Sequence, residues 1–342
     1  MFDGWDIVDV LWRIFRDAGD LRYESLMGLA ELEISYYRCE FDAVLAKANE
    51  LIETAEPPVA VHARTVRMIV EIATGDSKQA YKDLRVLVDV CAKGIAQRED
   101  DQLYAACVIS GMRIENVVMV SLFEFPDLTE GTVEVPSALK LYFGYLLAQR
   151  FMRIRRYDVA NGIAYTHLTI LNKNNYPGSR TYLYLIEAAS NILTGDTQRA
   201  RARFDKAWEL KERYGLLMPF VELNYLLLGL PRAKREHAAD PDEIRHVEAM
   251  VRTFHKGWYG LRRMCGLSCA LEPLTPLEAL VAGLAALGWR NKEIAQHLRL
   301  APDTVKHQLT SIYQKLGVAN RSQLSGVYHE VMSDSGKFDI WA

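Results

Sequence analysis

The segment 274–318 carries the start and stop signals of consecutive short helices, and it constrains the fold more than any other part of the chain. Thr275-Pro276-Leu277-Glu278 is typical of a capping box, in which the threonine hydroxyl accepts from the backbone N–H three residues on and the glutamate reaches back. Proline suits the first helical position. Gly288 and Gly317 each follow an apolar helical run, and glycine there ends a helix in the left-handed conformation. The segment therefore predicts short helices separated by tight turns.

Apolar residues recur at helical spacing through this segment and on to residue 332. They predict four helices, with the second over about 291–298, the third from Pro302 to Leu316 and the last over about 320–332. The predicted inward positions are Leu280, Val281, Leu284, Leu287, Ile294, Leu298, Val305, Leu309, Ile312, Leu316, Leu324 and Val327. Two helices joined by a tight turn, the second with polar residues outward near its start, are typical of a helix-turn-helix.

Five short motifs lie at fixed spacings here: Leu-Thr-x-x-Glu at 274–278, Gly288, Asn-Lys-Glu-Ile-Ala at 291–295, Thr-Val-Lys at 304–306 and Lys-Leu-Gly-Val at 315–318. Each is weak alone, but the ensemble resembles the LuxR-type (GerE-like) DNA-binding domain over 274–324 without a gap. The resemblance implies a four-helix module whose third helix, Pro302–Leu316, enters the DNA major groove. For the remainder of the chain it implies only that such regulators often carry sensory domains, tetratricopeptide-like ones among them.

The resemblance also assigns site residues. The residues expected to read base edges are Lys306, His307, Thr310 and Ser311. Their chemistry suits this role, because amine and imidazole N–H groups donate to guanine and a threonine methyl touches thymine. The residues expected to contact phosphates, which position the protein without reading sequence, are Asn291, Lys292, Thr304, Lys315 and Arg321. The last helix is expected to form the dimer contact through Ser322, Gln323, Val327 and Tyr328.

Several positions depart from the family pattern, so the base preference of relatives does not transfer. They are Leu277 in place of Arg, Arg290 in place of Ser, Arg299 in place of Gly, Ala301 in place of Ser and Gln308 in place of His. Loss of the capping serine at Ala301 is expected to cost about 1 kcal/mol of helix-start stability. Arg299 is expected to hold a backbone conformation that glycine adopts more easily.

The remainder of the chain, up to about residue 230, has helical periodicity without the β-branched alternation of strands. Gly75-Asp76 and Gly195-Asp196 punctuate it, and small and large apolar residues follow both at equal offsets: Ala80, Leu84 and Leu87 after the first, and Ala200, Phe204 and Ala207 after the second. This resembles the second half of a tetratricopeptide repeat, a pair of antiparallel helices. The expected fold is therefore all-α: an N-terminal solenoid of helical hairpins and a C-terminal four-helix module. Such a solenoid leaves a concave groove for a partner.

The predicted organisation has four parts. Residues 1–230 form the tetratricopeptide-like regulatory domain, 231–270 a linker with a helix over about 241–263, 271–333 the LuxR-type module, and 334–342 a tail. The segment 123–136 contains two prolines and a glycine and predicts a long loop. It is either a lid over the groove or a loop packed on the convex side, and the second interpretation is favoured.

Composition narrows the function classes. The net charge of −3 divides unevenly, with +3 over 232–342 and −6 over the rest, and this slight bias suits a nucleic-acid module attached to an acidic regulatory body. Five cysteines, among them Cys265 and Cys269, are interpreted as reduced thiols, since no second ligand pair accompanies them to suggest a metal. No phosphate-binding loop, dinucleotide fingerprint or nucleophile elbow is present, so neither catalysis nor a cofactor is expected. No signal peptide or membrane span is expected either, which favours the cytoplasm.

These observations favour a transcription regulator. A homodimer would place two recognition helices in successive major grooves of double-stranded DNA, about 10 bp apart. An unknown ligand, peptide or protein at the helical domain would control it, and an activator would also contact RNA polymerase. The alternative is a helical-repeat adaptor whose C-terminal module binds protein instead of DNA. Genuine DNA binding weakens steeply with salt, so a salt series separates the two.

Overall fold

The computed structural model of the protein describes residues 23–98, 100–125, 140–170, 176–231 and 241–332. Every long regular element in these ranges is a helix, as expected. The sixteen helices are α1 Tyr23–Tyr37, α2 Phe41–Thr54, α3 Pro57–Thr74, α4 Ser77–Gln97, α5 Asp101–Val118, α6 Lys140–Arg153, α7 Tyr157–Ile170, α8 Pro177–Leu193, α9 Thr197–Tyr214, α10 Met218–Glu222, α11 Asn224–Leu227, α12 Pro241–Met264, α13 Pro276–Ala286, α14 Asn291–Leu298, α15 Pro302–Leu316 and α16 Arg321–Met332.

Helices α1 to α9 form a solenoid of helical hairpins, because each packs against the next along the chain. Its punctuation follows the predicted signals. Gly75 and Gly195 have φ values of 87° and 90°, and the side chains of Asp76 and Asp196 cap the helices that follow. The equivalent faces of α4 and α9 are confirmed as core, with exposures of 0–2% for Ala80, Leu84, Leu87, Ala200, Phe204 and Ala207.

The short helices α10 and α11 pack against the inner helices of the solenoid. Helix α10 contacts α1 as well as α8, so the first and last hairpins meet through it. The backbone N–H of Leu217 donates to the carbonyl of Tyr37 over 2.8 Å, which fixes α10 to the end of α1. Phe220, at the centre of α10, is completely buried. Helix α10 is thus anchored in the interior of the helical body.

The helix expected in the linker is α12, and it packs against α3, α4 and α10. Its buried residues recur every three or four positions at Val247, Val251, Phe254, Trp258 and Leu261. The backbone of Gly257 lies so close to α3 that a Cβ there would sit 2.0 Å from the carbonyl oxygen of Ile72. The apolar stripe therefore makes α12 a layer of the helical body, preceded by residues 232–240 that lie outside the described ranges.

The predicted long loop is described only up to residue 125. The backbone N–H groups of Leu122 and Phe123 donate to Glu115 Oε1 over 2.7 and 2.9 Å, and Phe123 is buried. The remainder of the loop, 126–136, lies outside the described residues, as does the tail 334–342.

Helices α13 to α16 form the predicted four-helix module, with α13 packed on the other three. The inward residues confirmed as buried are Val281, Leu284, Ile294, Leu298, Val305, Leu309, Ile312 and Leu324. Leu280, Leu287, Leu316 and Val327 are only half-buried. On α16 the buried positions after Leu324 are Tyr328 and Val331. Tyr328 faces the helical body as well as α13. Contact with the body therefore adds to the buried face of α16 a residue that the sequence of the module alone does not predict to be buried.

The module is docked on the end of α11. His297 Nε2 lies 2.8 Å from the carbonyl oxygen of Leu228. A Cβ added at Gly229 would lie 2.6 Å from Leu298 Cδ2, and one at Gly283 would lie 2.9 Å from both Leu228 Cδ2 and the Tyr328 hydroxyl. A cavity of about 30 Å³ remains at this junction, lined from both sides. We call this contact, between residues 228–229 and helices α13, α14 and α16, the docking contact.

Candidate nucleic-acid interface

Helix α15 presents a buried face to the module and an open face to solvent. Pro302 occupies its first turn, and Val305, Leu309 and Ile312 are the residues that it buries. Ala301 precedes it without a side-chain cap, as the departure from the family pattern predicted. These buried residues hold α15 at the edge of the module, so the opposite side of the helix is exposed and available to a large ligand.

The four residues expected to read bases do not share one environment. Lys306, His307 and Thr310 are exposed on one side of α15. The Thr310 hydroxyl donates to the Lys306 carbonyl over 3.1 Å. Ser311 is half-buried, and its hydroxyl donates to Glu278 Oε1 over 2.7 Å. Three of the four side chains therefore form an open row, while the hydroxyl of the fourth is engaged with α13.

Glu278 joins the start of α13 to the middle of α15. Its carboxylate accepts from the Thr275 backbone N–H over 2.7 Å, which completes the predicted capping box. It also accepts from Ser311 and, over 2.6 Å, from Lys315 Nζ. Burial pushes the pKa of Glu278 up, but the bonds from Lys315, Thr275 and Ser311 outweigh it and lower the pKa to about 2. The sequence predicted the cap, but gave no signal that the same carboxylate also holds α15.

The five residues expected to contact phosphates also divide. Lys292 is exposed and Thr304 is half-buried. Lys315 is exposed but is paired with Glu278. Arg321 Nη2 donates to Asn291 Oδ1 over 2.7 Å, and its other amino group donates to the Trp289 carbonyl. Asn291 and Arg321 therefore bind each other and tie the start of α16 to the start of α14.

The turn between α14 and α15 sets the angle between these two helices. Arg299 ends α14 with φ 55°, the left-handed conformation expected at the position where the family pattern has glycine. The Leu300 N–H donates to the Ala295 carbonyl over 2.8 Å and closes the turn. At the other end of α14, the Arg290 N–H donates to Glu293 Oε2 over 2.6 Å. Hydrogen bonds thus fix both ends of α14, the first helix of the helix-turn-helix.

The residues expected at a dimer contact lie along α16. Ser322 and Gln323 are exposed, and Gln323 Oε1 accepts from the Ala319 N–H over 2.7 Å as part of the helix start. Val327 is half-buried. Tyr328 is 8% exposed, and burial raises the pKa of its hydroxyl well above its usual range. The docking contact therefore covers one end of the predicted dimer surface and leaves the other end open.

Comparison with known proteins agrees with this geometry. The family model described as bacterial regulatory proteins, luxR family, matches residues 272–327, which covers the module as far as the middle of α16. The C-terminal module is a LuxR-type helix-turn-helix domain. The matched residues contain the capping box, the turn, the whole of α15 and the first half of α16.

Two kinds of curated relative illustrate the likeness. A putative HTH-type transcriptional regulator of Mycobacterium bovis is 49% identical over 51 residues, and HTH-type transcriptional regulator MalT of Vibrio campbellii is 45% identical over 52 residues. Each alignment covers 15% of this chain but only 6% of the relative. The likeness therefore concerns the LuxR-type module alone. No solved structure matches the chain.

The described part of the chain contains no helix that is long and apolar enough to cross a membrane. All five cysteines are free thiols, and burial raises the pKa of Cys265 to about 12. Cys269 donates instead to the carbonyl oxygens of Leu267 and Tyr259. No group of three metal-ligating side chains occurs among the described residues.

Proposed function

We propose that the protein is a DNA-binding transcriptional regulator that reads the major groove with α15. The open row of Lys306, His307 and Thr310 on a LuxR-type module carries this proposal. Lys306 and His307 would donate to guanine edges, and the Thr310 methyl is available to thymine because its hydroxyl donates to its own helix. Ser311 would reach a base only after releasing Glu278, so its role is secondary.

Phosphate contacts would come first from Lys292 and Thr304, the members of the predicted set whose side chains are not held by another helix of the module. Lys315, Asn291 and Arg321 would act in two ways, because each already stabilises the module through Glu278 or through the Asn291–Arg321 pair.

A gel-shift series tests this function. The full-length protein is expected to retard selected genomic fragments, with affinity falling steeply as salt rises because phosphate contacts release counterions. The triple variant Lys306→Ala, His307→Ala, Thr310→Ala is expected to lose the preference for those fragments over random DNA. Binding that is undetectable, or that does not respond to salt, would instead support a module that binds protein.

The docking contact suggests how DNA binding is controlled. It leaves the row on α15 open but covers Tyr328 on α16, so it would oppose dimerisation and not the monomer's contact with DNA. Release of the module from residues 228–229 would free α16 to pair with a second copy. Two modules would then bind successive major grooves together. A ligand, peptide or protein at the helical body would act by shifting this equilibrium.

Leu228→Asn tests the control step. Leu228 is 2% exposed with φ 42°, a conformation that asparagine tolerates, so the change removes an apolar contact while suiting the backbone. Removing a buried leucine side chain should make the free energy of docking less favourable by about 1.5–3 kcal/mol, which corresponds to roughly 10- to 100-fold more undocked module. Sedimentation velocity should show more dimer than for wild type or the control Ile154→Asn, which changes an exposed side chain. Equal dimerisation in all three proteins would refute control by docking.

A further inference from the structure

A cluster of charged and phenolic side chains lies inside the helical body, where five helices converge. Its members, hereafter the Arg113 cluster, are Glu33, Tyr36, Arg113, Tyr142, Tyr182 and Glu222. They come from α1, α5, α6, α8 and α10. The Arg113 guanidinium lies over the Tyr36 ring at 4.8 Å and over the Tyr142 ring at 5.8 Å. The LuxR-type module contributes nothing to this cluster, so its chemistry is independent of DNA recognition.

Arg113 is a buried cation without a close carboxylate of its own. It is 4% exposed, and among the described residues Glu222 is the carboxyl that it contacts, at 3.4 Å. Charge-assisted bonds are normally about 2.7–2.9 Å long, so this contact is weak. Burial, and then the charge of Glu33, raises the pKa of Glu222 well above its usual range. The long contact therefore leaves the guanidinium without a close charge-assisted bond to a carboxylate among the described residues.

Glu33 supplies a negative charge, but it is engaged elsewhere. Burial raises its pKa, yet the hydrogen bond to His62 and the nearby charges outweigh burial and lower the pKa below its ordinary value. Glu33 Oε1 lies 2.5 Å from His62 Nε2. The His62 side chain keeps 23% of its surface exposed, so the cluster reaches solvent on this side.

Three phenolic hydroxyls in the cluster are buried without a partner. They belong to Tyr36, Tyr142 and Tyr182, and none makes a hydrogen bond to any described residue. Such groups have lost their water without the hydrogen bond that normally compensates, and native proteins contain few of them. Three such hydroxyls therefore lie in the cluster that surrounds one weakly paired guanidinium. An oxyanion would give hydrogen-bond acceptors to groups of this kind.

The charge of the cluster selects the class of anion. A guanidinium fork matches the two oxygens of a carboxylate, and phenolic O–H groups add further donors. One arginine balances one negative charge, and the ionised Glu33 nearby disfavours a second, as a phosphate dianion would bring. The surroundings are aromatic, since Tyr145 stacks on Tyr182 with ring centroids 4.2 Å apart. Flat aromatic walls suit an aromatic or apolar body.

We propose that the Arg113 cluster is an internal binding site for a small monocarboxylate with an aromatic or apolar body. Its carboxylate pairs with Arg113 and accepts from the hydroxyls of Tyr36, Tyr142 and Tyr182. The site deepens the regulatory function proposed above and rests on that proposal only for its effect on DNA binding. The binding itself is a property of the helical body.

The position of the cluster explains how binding would reach the module. Glu222 is the last residue of α10, and α11 follows it directly. Leu228, immediately after α11, accepts the hydrogen bond from His297 at the docking contact. A carboxylate on Arg113 competes with Glu222 for the guanidinium and so acts on the short segment that holds the module. Binding and docking are thereby linked through one piece of chain.

The test measures binding in the absence of DNA. Benzoate, phenylacetate and 4-hydroxybenzoate are titrated into the full-length protein, each beside its neutral primary amide, and the unfolding midpoint is followed. The acids should raise the midpoint saturably, because a ligand that binds only the folded state stabilises it, while the amides should not. Isothermal titration then gives the dissociation constant of the acid with the largest effect.

Single-atom variants localise the site. Tyr142→Phe and Tyr182→Phe are expected to weaken acid binding at least fivefold each, while the ligand-free midpoint stays the same or rises because an unpaired hydroxyl is removed. Tyr165→Phe is the matched control, since Tyr165 is 54% exposed and outside the cluster. Arg113→Met should abolish the effect of the acids; the phenylalanine variants carry the test if that protein fails to fold.

The outcomes are decisive in both directions. No saturable effect of any acid, or equal effects of acids and amides, overturns the carboxylate site. Phenylalanine variants that lose ligand-free stability yet bind acid normally show that the hydroxyls are structural, which also overturns it. A protein that binds acids but no DNA keeps the site and refutes the proposed function. A protein that binds DNA but no acid does the reverse.

Discussion

Glu278→Ala should loosen the recognition helix more than loss of an ordinary helix cap. The change removes a capping bond and two bonds to α15, from Ser311 and Lys315. A hydrogen bond to a buried charge contributes about 1.5–3 kcal/mol. The cap adds about 1 kcal/mol. The half-exposed Lys315 pair adds less than about 1 kcal/mol. The local cost is therefore about 2.5–5 kcal/mol, or a factor of roughly 70 to 5,000 in local opening.

Hydrogen exchange followed peptide by peptide measures this cost in the full-length chain, because it reports local opening without requiring two-state unfolding. Exchange should accelerate in α13 and α15 and stay unchanged in α1–α9. Glu293→Ala is the matched control, since Glu293 caps α14 through the Arg290 N–H. Its loss should cost only about 1 kcal/mol. Equal acceleration in both variants would refute the cross-helix role of Glu278.

The same interaction has a definite pH dependence. The pKa of Glu278 is lowered from 4.5 to about 2, so its stabilising effect is complete above pH 4.5 and is lost as pH falls towards 2. Exchange in wild-type α15 should therefore approach that of Glu278→Gln as the pH is lowered through this window. A constant difference between the two proteins down to pH 2 would contradict the bonding described here.

Three further outcomes are expected. Lys306→Ala should weaken operator binding by about 1–3 kcal/mol and relax base choice, whereas Lys292→Ala should weaken operator and random DNA equally in gel shifts. Burial, with Arg201 nearby, lowers the pKa of His297, and its buried Nδ1 has no hydrogen-bond partner. Protonation of His297 therefore opposes docking, so docking should hold above pH 6.5 and weaken as the pH falls below it. Sedimentation velocity should then show more dimer at the lower pH. That rise should be missing in His297→Gln. Ala301→Ser should raise the free energy of local opening at the start of α15 by about 1 kcal/mol, so that hydrogen exchange there becomes slower. An unchanged exchange rate would show that the missing cap is unimportant.

Features set by neighbours in sequence were predictable. The capping box at Thr275, the left-handed turns at Gly288 and Gly317, and the strained turn at Arg299 all lie where expected. Each depends on the chemistry of a few consecutive residues, so a single sequence specifies it. The equal offsets after Gly75 and Gly195 were predictable for the same reason.

Features set by distant partners were not predictable. Ser311 and Lys315 were assigned to DNA, but Glu278, more than thirty residues earlier, holds both. Tyr328 was expected at a dimer contact, but in this structure it is buried at the docking contact beside Leu228, about a hundred positions earlier in the chain. The Arg113 cluster gave no sequence signal, because its members are spread over five helices. The packing of α12 on the helical body did have a sequence signal, the apolar stripe from Val247 to Leu261. The polar break before the helix favoured its interpretation as a linker instead.

Methylation interference tests the central claim, that the exposed face of α15 lies in the major groove. Methyl groups on guanine N7 occupy the major groove, whereas those on adenine N3 occupy the minor groove. We expect N7 methylation to block binding in two half-sites about 10 bp apart, and Lys306→Ala to remove one interfering guanine from each. Interference confined to adenine N3, or an N7 pattern unchanged by Lys306→Ala, would contradict the account.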